Sequence, residues 1–162
     1  MDRSNSFRIA AILIGLIIIG VYSIYTYNKL AMAAEDIDAK RNQIYSHLQR
    51  KLNLIPSLLE TGQAYAEQEK EIFASIDESR TKLAKAETIG EKAQADADLS
   101  RALSNLGKAV EEHPEIKSDA ASQQLYGEFV KTEELLTTAR RDYNQAVRAY
   151  NTHIKRFPAN VV

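Results

Sequence analysis

The sequence predicts an all-α protein: an N-terminal transmembrane helix followed by an elongated antiparallel bundle of three long helices, or four if Pro56 breaks the first. Three observations predict it. One uninterrupted apolar run lies near the N-terminus. Beyond it, apolar residues recur at steps of three, four and seven. Turn formers are scarce, with 6 Gly and 3 Pro in 162 residues, while Ala, Glu, Lys, Gln and Leu are abundant and favour helix. No alternating strand pattern of useful length interrupts these helical stripes. The expected domains are an anchor over 1–27 and a helical bundle over 28–162.

The anchor comes first. Ile9 to Val21 reads IAAILIGLIIIGV, with no polar side chain. As a helix, Phe7 to Tyr27 spans about 31 Å, the thickness of a bilayer's hydrocarbon core. Tyr22, Tyr25 and Tyr27 suit the headgroup zone, where a ring sits in lipid and its hydroxyl stays wet. A cleaved leader is the rival reading, since Ala31-Met32-Ala33 resembles a small-x-small cleavage site. About ten residues separate that site from Val21, which is long for a cleavage region. Retention as an anchor is therefore expected, with the lipid bilayer as partner through Phe7–Tyr27. Arg3, Arg8 and the terminal amine precede the segment, and only Lys29 follows closely. That balance places the N-terminus in the cytoplasm and the C-terminal domain in the periplasm, outside the cell or in a lumen.

The bundle follows. Ile37, Ile44, Leu48, Leu52, Ile55, Leu59 and Ala66 build one stripe, and Tyr65, Ile72, Ile76 and Leu83 continue the spacing. The stripe runs across Pro56 unbroken, so a kink is expected there rather than an end. Ala86 to Gly90 (AETIG) is the first turn. Glu91 to Val110 is the next helix, with Leu99, Ala102, Leu103, Leu106 and Val110 on one face and a weakly packing start at Ala93, Ala95 and Ala97. His113-Pro114 ends it. The last helix, about Ser118 to Phe157, carries Leu125, Phe129, Leu136, Tyr143, Val147, Tyr150, Ile154 and Phe157 on one stripe, and Pro158 stops it. A helix of about 60 Å must bury such a stripe on partner helices.

Composition and motif spacing exclude many chemistries. Lys+Arg total 21 against Asp+Glu 22, for a net charge of −1. No basic excess marks a nucleic-acid partner. Without cysteine there is no disulfide scaffold, thiolate zinc site or thiol nucleophile. His47, His113 and His153 lack a carboxylate three residues upstream, so the Glu-x-x-His pair of di-iron bundles is missing. No HExxH, P-loop or GxGxxG pattern occurs. No catalytic residue, metal ligand or cofactor is expected.

What remains is a set of polar residues beside the stripes. Arg50, Lys51 and Asn53 precede Pro56, as a solvated face or as a polar layer that fixes helix register. Glu133 and Arg140, seven apart, lie at the edge of the Leu136/Tyr143 stripe. Surface charge is the default for both, and a cross-helix ion pair with Arg50 or Glu60 is the sharper reading. Tyr143-Asn144 and Tyr150-Asn151 repeat at spacing seven. Their tyrosines fall on the stripe and their asparagines beside it, suited to interhelical bonding or, less so, to lining a ligand groove.

These residues together resemble the LemA family of membrane-anchored helical proteins. The resemblance begins at Tyr27-Asn28-Lys29-Leu30 and continues through Arg50 to Glu60, where the family commonly reads R-x-x-L-I-P-x-L-x-E. Tyr65-Ala66 and Ser79-Arg80 fit next, and His113-Pro114-Glu115-Ile116-Lys117 stands for a family Y-P-x-L-K. The strongest block is Thr132-Glu133, Ala139 to Asn144, Val147, Tyr150-Asn151, Ile154 and Phe157-Pro158. The sequence ends at Val162, just after that block and short of the C-terminal extension usual in the family, so functions resting on that extension are not expected.

The resemblance implies a single-pass membrane protein with a helical-bundle domain and no established enzymatic activity. A scaffold or interaction protein of a bacterial envelope or intracellular membrane is expected, with other membrane proteins or further copies of itself as partners. A membrane-tethered ligand or metal sensor is the alternative. The family also includes a magnetosome protein linked to formation of magnetosome membranes, which offers a further reading.

Overall fold

A computed structural model describes residues 3–61, 70–112, 120–157, 159 and 160. Among them there are four helices and no strand: α1 (Arg3–Thr61), α2 (Lys70–Lys85), α3 (Ile89–Glu112) and α4 (Ala120–Ile154). Pro56 lies inside α1 and does not end it. The first apolar stretch supplies both α1 and α2, described on either side of residues 62–69. The stops expected at His113-Pro114 and at Pro158, and Tyr65-Ala66, lie outside the described residues.

The chain divides into two compact units, one of Met1–Gln43 with Ala139–Val162, the other of Ile44–Thr138. In the second, α2 and α3 form a helical hairpin through Ala86–Thr88, where the AETIG turn is expected. Glu71 opens α2 and Lys82 and Lys85 close it, matching the helix dipole. Glu78 bonds Lys82 at 2.7 Å across one turn, and that bond holds the Lys82 ammonium above its ordinary range.

The start of α3 is built by a capping box. The Thr88 hydroxyl accepts from the Glu91 amide at 3.1 Å, while the Glu91 carboxylate accepts from the Thr88 and Glu87 amides at 3.0 Å each. Amides that the first turn leaves without partners are thereby satisfied. The same amide bonds, Thr88's first, pull the Glu91 carboxyl below its ordinary 4.5.

Ile44, Leu48 and Ile55 of α1, Ile76 and Leu83 of α2, Leu99, Ala102 and Leu103 of α3, and Leu136 of α4 make the core of this unit. Removing each large aliphatic side chain from water contributes about 1.5–3 kcal/mol. One detail differs from the sequence reading. The stripe of α1 passes through Lys51, and Leu52 is only half-buried. Steps of four, three and four through 44, 48, 51 and 55 keep the seam straight.

In the other unit, Phe7 to Tyr27 runs as helix with its large apolar side chains turned outward, from Tyr22 at 53% exposed to Phe7 at 78%. The Ser23 hydroxyl donates to the Ile19 carbonyl at 2.9 Å, so this polar group in the segment is satisfied within its own helix. Of the described helices, α1 is the one long and apolar enough to cross a membrane. Ala139 of α4 is buried in this unit, and Tyr143, Val147, Tyr150 and Ile154 are half-buried.

Candidate functional site

The most unusual environment in the chain surrounds Lys51. Its side chain is 0% exposed, although lysine is the residue type that most needs water. Helix periodicity causes this, because position 51 faces inward between Leu48 and Ile55. The burial is tolerable because three acceptors meet the ammonium. Lys51 Nζ donates to Asp96 Oδ1 at 2.6 Å and to Ser100 Oγ at 2.7 Å, and it pairs with Glu133 Oε1. An ammonium carries three donors, so all three are used. Asp96 and Ser100 stand one turn apart on α3, while Glu133 comes from α4. A single side chain of α1 thus ties three helices together.

The charges are arranged by depth. Asp96 is buried with the lysine, whereas the Glu133 side chain is 29% exposed. The Glu133 carboxylate therefore sits where water also solvates it. Ser100 donates onward to Glu133 Oε1 at 3.2 Å, closing the ring of bonds. The Phe129 ring, one turn before Glu133, lies 5.5 Å from Nζ and adds a cation–π contact. No described buried side-chain N or O atom lacks a hydrogen-bond partner.

A serine beside a lysine invites comparison with a nucleophile and its base. The bonds run the other way. Ser100 accepts from the ammonium and donates its own hydrogen bond to Glu133. Lys51 holds Ser100 as an acceptor and is not placed as its base, since its donors are spent on Asp96, Ser100 and Glu133. The arrangement suits holding helices in register, a use of buried polar groups that costs stability relative to an apolar core. Among the described residues, no group of three or more His, Cys, Asp or Glu is placed to hold a metal ion.

The polar residues singled out from sequence fall in several places. Arg50, Asn53, Pro56 and Glu60 are exposed, and Asn53 accepts a bond from Gln49 at 3.1 Å. Glu133 joins the layer, and Lys51 rather than Arg50 or Glu60 meets it. Arg140, Tyr143 and Tyr150 are half-buried, while Asn144 and Asn151 are exposed. The Asn144 carbonyl accepts from Arg148 at 3.2 Å within α4. Asp96 and Ser100 escape sequence reasoning. Their only signal is position, on the same side of α3 as Leu99 and Leu103.

An apolar helix suited to lipid, joined to a helical unit locked by an internal ion layer, defines a membrane-associated helical-bundle protein. Residues 40–162 match the model of the LemA family. The chain belongs to the LemA family. It is similar to magnetosome proteins MamQ 1 and MamQ 2 of Paramagnetospirillum magneticum, each 28% identical over 83% of this chain and 59% of the relative. It is also similar to magnetosome protein MamQ of Magnetospirillum gryphiswaldense, at 23% identity over 82% of this chain and 58% of the relative. The chain thus spans less than two thirds of the length of these relatives.

Proposed function

We propose that the chain is a single-pass, membrane-anchored scaffold that performs no catalysis and presents helical surface to partner proteins or to further copies of itself. The observation that carries this reading is the outward-facing apolar stretch Phe7–Tyr27, on the same helix that delivers Lys51 to the ion layer. Lipid supplies the solvent that the stretch lacks in the chain itself. The anchor is cytoplasmic at its N-terminus, a reading that the Arg3 and Arg8 flank favours. Tyr126 and Val130, one turn apart on α4, are the exposed large apolar residues described in the 44–138 unit, and they form the contact face.

Crosslinking in native membranes tests this reading. A defined partner or oligomer that is lost when Tyr126 and Val130 become Ser is the expected outcome, and a solely monomeric product refutes it. A reporter fused after Val162 tests the orientation. A second reading, a role in forming magnetosome membranes, is favoured by the names of the relatives. Its test is restoration of those membranes in a magnetotactic strain lacking its own MamQ. A ligand sensor built on the Lys51 layer is disfavoured, because that layer has no donor to spare.

A further inference from the structure

A second cluster of charge lies in the unit that carries the apolar helix. Tyr22, Tyr25 and Lys29 of α1 and His153, Arg156 and Phe157 at the end of α4 line a groove of about 150 Å³. That is smaller than the roughly 300–1,000 Å³ of ordinary small-molecule sites. Among the described residues, no acidic side chain lines it. Among the described residues, no carboxylate pairs with Lys29, His153 or Arg156.

The position of the groove narrows what it can hold. The lipid-spanning stretch Phe7–Tyr27 ends two residues before Lys29, so Tyr25 to Lys29 fall at headgroup depth and Tyr22 lies one turn inside that boundary. Phe157, 82% exposed, sits beside them and suits the acyl boundary. Lys29 and Arg156 are exposed at the groove and carry flexible cationic ends that reach a phosphate plane.

We propose that this groove binds the phosphate of an anionic membrane lipid, and that the end of α4 is thereby docked on the headgroup layer. The proposal rests on the membrane-anchored reading above and adds a lipid class and the residues that select it. Lys29 and Arg156 supply the charge, Tyr22 and Tyr25 supply hydroxyls and ring faces, and Phe157 enters the lipid.

The test uses the full chain in a non-ionic detergent with equal amounts of phosphatidylglycerol and phosphatidylcholine, read by native mass spectrometry. Phosphatidylglycerol adducts are expected in excess, with the excess falling about fivefold for each cation removed. The Lys29→Gln/Arg156→Gln variant then loses the preference, and an Arg101→Gln/Lys108→Gln control keeps it. Equal adducts of the two lipids on the native chain, or an unchanged preference in the first variant, overturns the inference. Displacement of the lipid by an equal amount of inorganic phosphate also overturns it, by assigning the groove to a soluble anion. Alkaline carbonate extraction of native membranes keeps the anchor separate. Retention without lipid preference removes this inference alone, whereas release removes the anchor and the inference together.

Discussion

The most apolar part of the chain is its most exposed part, and one of its most hydrophilic side chains is among its most buried. Phe7 to Tyr27 turns isoleucines and tyrosines outward, while Lys51 is sealed among Ile55, Leu48 and two carboxylates. Each region follows one rule applied to a different solvent. A side chain settles where its partners are, and the partner of the first region is lipid while that of the second is a set of matched acceptors. Exposure in the chain alone therefore does not separate inside from outside. The kind of neighbour does.

The largest effect should come from breaking the buried side. Lys51→Met takes the ammonium away from Asp96 and Glu133, and removing one partner of a buried pair costs about 3–5 kcal/mol. Thermal or denaturant unfolding followed by circular dichroism would register it as a large drop in midpoint. Replacing Asp96 by Leu and Glu133 by Gln in the same variant should recover most of the loss. If it does not, the lysine acts through packing rather than charge.

Next comes the lipid side. Ile17→Arg puts a charge near the middle of the apolar segment, where it costs about 2.5–3.5 kcal/mol. Carbonate extraction should show a larger soluble fraction, whereas the unfolding midpoint of the 44–138 unit should not change. A drop in that midpoint would mean that the segment is packed on protein, and the contrast would fail.

Smaller effects sharpen the comparison by leaving both regions intact. Thr88→Ala removes the hydroxyl cap of α3 and should cost about 1 kcal/mol. Glu91 predicts a pH dependence. Its carboxyl is held below 4.5 by amide bonds that exist only when folded, so its contribution is complete above that value. It is lost as pH falls through the lower, folded value. The midpoint difference between the native chain and Glu91→Gln should be steady near neutrality and shrink only in acid below 4.5. A difference that grows in acid would contradict the capping geometry.

Helix spacing makes most of the architecture legible in the sequence. The AETIG turn, the helix from near Glu91 and the long C-terminal helix come directly from steps of three, four and seven. The interior ion layer was harder to see for a physical reason. A lysine beside an apolar stripe ordinarily extends its stem along the surface with its charge in water, and nothing in one strand of text says that Asp96 waits across the gap. Of Arg50, Lys51 and Asn53, the sequence does not single out Lys51 as the one that turns inward, while its two companions are exposed. Asp96 was masked by Ala95 and Ala97, small residues that read as loose packing but that leave room for a carboxylate. The capping box was readable at Thr88-x-x-Glu91, a local signal that needs no tertiary contact.

The saturated ammonium has a mechanical consequence. Sliding the Lys51 helix lengthwise by a single turn, about 5.4 Å, would carry its ammonium away from Asp96, Ser100 and Glu133 together. No intermediate offset satisfies all three bonds. Under an axial pull the assembly should therefore hold rigidly and then give way at one threshold force, without creeping.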